Sequence, residues 1–302
     1  VKLCSMIHVV SLHFVFVFCM TCSISSARGQ SLEPFFREAA SDGEFVMPSQ
    51  RELAEAQRLF ELLLAGQKDT AAFADALESL HMEMLPVRLG GNELTIIREK
   101  SDRKTGRGFY IHCSAASAPV YLMAPHSFTD VLTGRIALKL AEQGGFLLTA
   151  LNTGKRYVFE KEVRLNQDLA HLNGTYFTAL SQAIAGQTDS PRVVQLHGFA
   201  RRNRTTSEGR KADIIVSSGQ LDLLPAAKRV ADRLADDMQF STCTYPDGVG
   251  ELGARTNVTG RVLRDAGQGG FIHVELSRPA RIRLDRDEKV LRLFNGCLAG
   301  CR

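Results

Sequence analysis

The sequence predicts an α/β fold: a mainly parallel mixed sheet with helices on both faces, preceded by an N-terminal helical hairpin. Three observations carry this. Short apolar runs recur along residues 94–276, segments with helical apolar spacing alternate with them, and two further helical segments precede the first run.

Residues 51–64 carry Leu53, Ala56, Leu59, Phe60 and Leu63 at helical spacing, and residues 70–80 repeat the pattern after Gly66-Gln67-Lys68-Asp69. This pair holds no reactive constellation and reads as a packing element. Pro86 to Gly91 reads as a boundary. Beyond it, strands are expected over 94–98, 108–113, 121–124 and 146–151, with a helix over 133–143 between the last two. The rhythm continues with a helix over 169–185, extended runs at 192–196 and 214–217, a helix over 226–236, and extended runs at 240–244 and 271–276.

A chain of 302 residues, 44% hydrophobic and 23% charged, suffices for one large domain with an appendage. The formal charge of +4, from 37 basic and 33 acidic residues, requires no polyanionic partner. Lys2, the apolar run Ile7 to Phe18 and the small residues Ser25-Ser26-Ala27 read as a secretory signal peptide, the alternatives being an uncleaved anchor or a mis-chosen start. The expected organisation is therefore a signal peptide over 1–27, an N-terminal helical segment over 28–86 and an α/β domain over 87–302. A secreted or periplasmic location is expected, without stable membrane insertion after cleavage. Export would place Cys113, Cys243, Cys297 and Cys301 in an oxidising compartment as structural cysteines, with Cys297 and Cys301 close enough in sequence to pair.

Two segments concentrate the chemistry. Ala124-Pro125-His126-Ser127-Phe128-Thr129-Asp130 and Val193-Val194-Gln195-Leu196-His197-Gly198 each follow or contain an apolar run and end in metal-capable side chains. Strand ends are where open α/β sheets place ligands. His126, Asp130 and His197 meet the requirement of a catalytic Zn²⁺ for about three nitrogen or oxygen ligands. Alternatively, the histidines are hydrogen-bonded structural residues and Asp130 caps the following helix. Glu275 lies within the apolar run Phe271 to Leu276, where a carboxylate is costly unless it is paired or functional. It is a candidate general base and acid, unless strand alternation simply turns it to solvent.

Taken together, these segments resemble the zinc carboxypeptidase-like hydrolases, nearest the N-formylglutamate amidohydrolases and phage-type poly-γ-glutamate hydrolases. Ala124-Pro125-His126-Ser127 is similar to a Pro-His-Ser-Gly opening, and His126 with Asp130 matches a His-x-x-x-Glu ligand spacing. Leu196-His197-Gly198 resembles the second ligand strand, and Val274-Glu275-Leu276-Ser277-Arg278 the strand carrying a catalytic glutamate. Aspartate replaces glutamate at 130, Ser277 replaces an asparagine, and an expected Asp-Leu-Asn-Arg motif stands as Asp168-Leu169-Ala170-His171. The resemblance implies Zn²⁺ held by His126, Asp130 and His197, with Glu275 performing proton transfer during amide or peptide hydrolysis.

Substrate contacts are expected from Arg201, Arg204, Arg255, His171 and Arg278, since guanidinium groups bind carboxylates in a forked geometry. N-acyl amino acids, peptides or γ-glutamyl chains would suit them. The same arginines also fit a solvated loop, and His171 a surface helix. Nucleic acid is not expected: the chain lacks tryptophan, and no aromatic residue interleaves with Arg201-Arg202-Asn203-Arg204. A non-catalytic exported binding domain holding an anionic ligand is the rival reading.

Overall fold

A computed structural model describes residues 31–41, 45–116, 118–160, 163–188 and 190–300. The signal-peptide reading of residues 1–27 and the Cys301 half of the Cys297–Cys301 pair lie outside them. After α1 (Glu33–Ala39), the helical hairpin forms as expected from α2 (Gln50–Leu64) and α3 (Ala71–Ser79). Ser49 begins α2 with a reciprocal capping box to Glu52, and the Thr70 side chain caps α3, which sets both starts.

The remaining elements are β1 (Met82–Leu89), β2 (Asn92–Glu99), β3 (Phe109–Cys113), β4 (Val120–Ala124), α4 (Thr133–Gln143), β5 (Leu148–Leu151), β6 (Tyr157–Glu160), β7 (Val163–Asn166), α5 (Tyr176–Ala185) and β8 (Arg192–Phe199). They continue with α6 (Ser207–Lys211), β9 (Ile214–Ser217), α7 (Pro225–Asp237), β10 (Thr242–Thr244), α8 (Val258–Asp265), β11 (Phe271–Ser277), α9 (Arg278–Arg286) and α10 (Glu288–Ala299).

Among the described residues, nine strands form one mixed sheet in the order β1-β2-β3-β5-β4-β8-β11-β9-β10. The strands β5, β4, β8 and β11 at its centre are parallel. The antiparallel ladder β1-β2-β3 extends one side, joining antiparallel to β5. Pro86 lies within β1 opposite Thr95, and Gly90-Gly91 makes the hairpin turn, so the expected boundary between 86 and 87 falls inside a strand of the main sheet.

The sheet separates two apolar layers, giving the three-layer arrangement expected of an α/β fold. Alternation along β4 shows why: Val120, Leu122 and Ala124 join the layer under α4, α7, α9 and α10, while Tyr121 and Met123 join the layer under α2, α3, α5 and α8. On that second face the strands turn polar toward their carboxyl ends. Val193 is followed on the same face by Gln195 and His197, and Phe271 by His273 and Glu275. The chain leaves β4 through α4 toward β5 on one side, and β8 lies on β4's other side, so the carboxyl ends of β4 and β8 flank a topological switch point.

Two expectations are corrected. Cys113 in β3 and Cys243 in β10 are thiols, not disulfide members. Their strands are third and ninth in the sheet order, about 30 Å apart at ordinary strand spacing and far beyond disulfide reach. The helix expected over 169–185 begins only at Tyr176, capped by Thr175. Asp168 starts the preceding turn by accepting the backbone N–H of Ala170, at 3.0 Å.

Candidate metal centre

His126 follows β4 by two residues. The backbone N–H of Asp130 donates to His126 O (3.0 Å), a helix-like turn that brings residues 126 and 130 onto one side. Asp130 does not cap α4. Its Oδ2 lies 3.1 Å from His126 Nδ1 and accepts the backbone N–H of Gly198 at 2.9 Å. His197 stands within β8 rather than beyond it, and β11 places Glu275 directly beside it in register. His126, His197 and Glu275 are all at most 7% exposed, which overturns the solvent-facing alternative for Glu275.

Hydrogen bonding settles the tautomers. His126 Nε2 faces Asp168 Oδ1 at 2.7 Å, and His197 Nε2 faces Gln195 Oε1 at 2.8 Å. Both partners are acceptors, so each ring carries a proton on Nε2 and turns Nδ1 inward. The two Nδ1 atoms are 3.1 Å apart, and Asp130 Oδ2 lies 3.1 Å from one and 3.8 Å from the other. Tetrahedral zinc with bonds of about 2.0–2.1 Å would separate neighbouring donors by about 3.3 Å. The donor triangle therefore has the size, atom types and outer hydrogen bonds of a zinc site.

The electrostatics agree. Burial pushes the His126 imidazole down, but hydrogen bonds and charge from Asp130 and Asp168 outweigh it and raise its pKa. A proton therefore competes for this convergence of acceptors to higher pH than at an ordinary histidine. Burial, then the neighbouring His273 and His126, hold His197 well below the usual histidine range. Burial would raise Asp168, but its bond to His126 and the charges of His126 and Arg156 bring it down to about 2.

Glu275 is pushed up to about 8, first by burial and then by the Asp130 charge. Its Oε2 is buried with no hydrogen-bond partner among the described residues, and Oε1 lies 3.7 Å from His273 Nε2. His273, held at about 3 by burial and then by the His126 charge, faces Ser217 Oγ at 3.2 Å through Nδ1.

These groups open into a cavity of about 510 Å³. Of the expected substrate contacts, Arg204, Arg255 and His171 line it, whereas Arg201 and Arg278 do not. Arg201 is spent on Ala212 O and Asp213, and Arg278 starts α9 on the exposed surface. Arg204 also pairs with Glu251, at 3.1 Å. A wider groove of about 700 Å³ over Ile282, Arg283 and Arg286 gathers no comparable donor set.

Sequence reasoning missed Arg156, which lines the cavity, pairs with Asp168 and places Nη1 3.4 Å from His126 Nδ1. It also missed Asp168 as the partner of His126, and Gln195 and His273 as neighbours of the two principal strand residues. The last two were readable as same-face residues two positions before His197 and Glu275. Arg156 follows β5 in an irregular stretch and carried no signal.

The molecule is thus an α/β protein with a buried His-Asp-His donor set at the sheet's switch point. No protein-family model matches the chain, and no curated protein sequence matches it. Among solved structures, a bacteriophage poly-γ-glutamate hydrolase aligns at 11% identity over 75% of this chain and 93% of its own, with a TM-score of 0.42. A succinylglutamate desuccinalase from Vibrio parahaemolyticus aligns at 11% identity over 76% and 81%, with a TM-score of 0.43. A succinylglutamate desuccinylase from Chromobacterium violaceum aligns at 12% identity over 75% and 72%, with a TM-score of 0.41. Likeness of this degree carries no chemistry, which belongs to the site.

Proposed function

We propose that this protein is an exported, zinc-dependent hydrolase of amide or peptide bonds, acting on N-acyl amino acids, peptides or γ-glutamyl chains that bear a carboxylate. One observation carries the reading. Three acceptor atoms, His126 Nδ1, Asp130 Oδ2 and His197 Nδ1, converge in the cavity that Glu275 also lines, and the buried Glu275 Oε2 has no partner among the described residues.

His126, Asp130 and His197 would hold the ion, with Asp168 and Gln195 fixing the two rings. When bound, zinc would supply Lewis-acid chemistry, polarising a carbonyl and making water acidic enough to attack near neutral pH. Glu275 would take the proton from the attacking water and return it to the leaving nitrogen. A dication nearby favours the carboxylate form, offsetting the burial that raises Glu275. Arg156, Arg204 and Arg255 surround the same space and suit a substrate carboxylate. Arg255 is exposed at the cavity's edge, and Arg156 reaches the donor triangle, with Nη1 3.4 Å from His126 Nδ1.

The test is metal analysis of the purified protein followed by a hydrolysis screen over acylated amino acids, peptides and γ-glutamyl chains. The reading fails if zinc is not held stoichiometrically and His126→Ala leaves hydrolysis unchanged.

A further inference from the structure

We infer that Asn257 is a positioning residue: by capping α8 it dictates which ring nitrogen of His197 is left bare to face the donor triangle. The inference deepens the metal reading above and rests on it for its consequence, though the proton position it concerns exists with or without metal.

One group in this chain of bonds has a single possible role. The backbone N–H of Gly260 can only donate, and it faces Asn257 Oδ1 at 3.1 Å, the N-cap bond of α8. The other amide atom, Nδ2, is therefore the one that reaches Gln195, and as a donor it must meet an acceptor. That atom is Gln195 Oε1, at 2.5 Å. The same oxygen lies 2.8 Å from His197 Nε2, so this nitrogen must bring the proton. Nδ1 of His197 is then a bare lone pair aimed at His126 Nδ1, 3.1 Å away.

Burial makes the sequence of bonds obligatory. Asn257 is 2% exposed, Gln195 0% and His197 5%, so no bulk water can take over a reversed bond. Gln195 Nε2 has its own partner in Thr259 Oγ1 at 3.4 Å, a hydroxyl that can rotate to donate or accept and so imposes no orientation. The polarity of the amide is set from the Asn257 side. The same residue closes the segment that lines the cavity from Leu252 to Thr256: its N–H donates to Ala254 O at 3.0 Å. Start of helix, rim of pocket and ring tautomer are joined through one amide.

Asn257→Asp and Asn257→Ser separate this role from simple capping. Both keep an oxygen that caps the helix. Aspartate, held ionised by the helix N-terminus, has no donor for Gln195. It forces that amide to turn its Nε2–H₂ toward residue 257 and His197, moving the ring proton to Nδ1. Serine can donate through its hydroxyl or leave Gln195 as it is.

The experiment is long-range ¹H–¹⁵N NMR of the His197 ring in metal-free protein, paired with zinc affinity by chelator competition. The expected result is Nε2–H in wild type and Asn257→Ser, and Nδ1–H in Asn257→Asp. Zinc binding to Asn257→Asp should weaken by about 10–100-fold, although the added negative charge alone would strengthen it. Nδ1–H in the wild type, or the same tautomer and affinity in both variants, overturns the inference. If Asn257→Asp does not fold, Gln195→Glu decides: it keeps an acceptor for both neighbours and must retain the Nε2–H tautomer, and Nδ1–H there overturns the inference. Wild-type protein that binds no zinc but shows Nε2–H refutes the metal reading and leaves the tautomer assignment standing.

Discussion

His126 and His197 turn their Nδ1 atoms toward one another at 3.1 Å, each with its Nε2 committed to an acceptor. With Asp130 Oδ2 beside them, the convergence is favourable only around a cation. Purified protein is expected to carry one zinc per chain, and His126→Ala or His197→Ala to lose it. Metal analysis after dialysis checks this, and a variant that keeps full zinc would refute the donor assignment.

Zinc affinity should fall as pH falls. The raised His126 pKa extends upward the pH range over which a proton competes with the ion for the site. Below that pKa the apparent affinity should drop by about tenfold per pH unit for each proton released. Chelator competition across a pH series measures the slope, and a flat profile would contradict proton competition at these donors.

Glu275→Gln separates an enzyme from a binding domain. Loss of the proton acceptor should cost about 10²–10⁴-fold in turnover while zinc content stays at the wild-type level. Steady-state kinetics with metal analysis on one preparation reads both. Unchanged turnover would remove Glu275 from the reaction, and absence of turnover in the wild type would favour the binding-domain reading.

The raised Glu275 pKa also predicts a pH effect on metal-free stability. A carboxyl near 8 when folded and near 4.5 when unfolded stabilises the fold fully below the lower value. That contribution declines as pH rises from about 4.5 to about 8, because the unfolded chain ionises first. Denaturant titrations of metal-free protein at pH 5 and pH 8 should show Glu275→Gln losing less stability over this interval than the wild type.

Gly198 tests how tightly the ligand segments are locked. A Cβ there would clash with Arg281 Nη1, which donates to Val131 O at 2.7 Å beside the Asp130 loop. Gly198→Ala should destabilise the protein by about 1–3 kcal/mol and weaken zinc binding, as read by denaturant midpoint and chelator competition. A neutral result would show that Arg281 is free to move aside.

Periodicity made much of the fold legible. The helical hairpin, the central strands and the helices α4 and α7 follow from apolar spacing, because burying one face is a local demand on the chain. The C-terminal helices α9 and α10 were missed, although Val290, Leu291, Phe294 and Leu298 of α10 do recur at helical spacing. The pairing of β1 with β2 was hidden by Pro86-Val87-Arg88-Leu89-Gly90-Gly91, whose proline and glycines read as a break but serve the end of one strand and its turn.

The site divides in the same way. The sequence by itself determined the residue types and chain order of the three donors, His126, Asp130 and His197, and of Glu275, because strand-end context and apolar surroundings are encoded locally. Only the tertiary structure decided that Asp130 joins the histidines instead of capping a helix, that Arg156 and Asp168 enter the site, and that Arg201 and Arg278 do not. It also decided which ring nitrogens face inward. The contacts of His126 with Arg156, Asp168 and His197, and that of Gln195 with Asn257, join residues 30 to 71 apart in the chain, brought together by the order of strands in the sheet. Apolar spacing reports which face of an element is buried, but it does not report which buried polar atoms will meet.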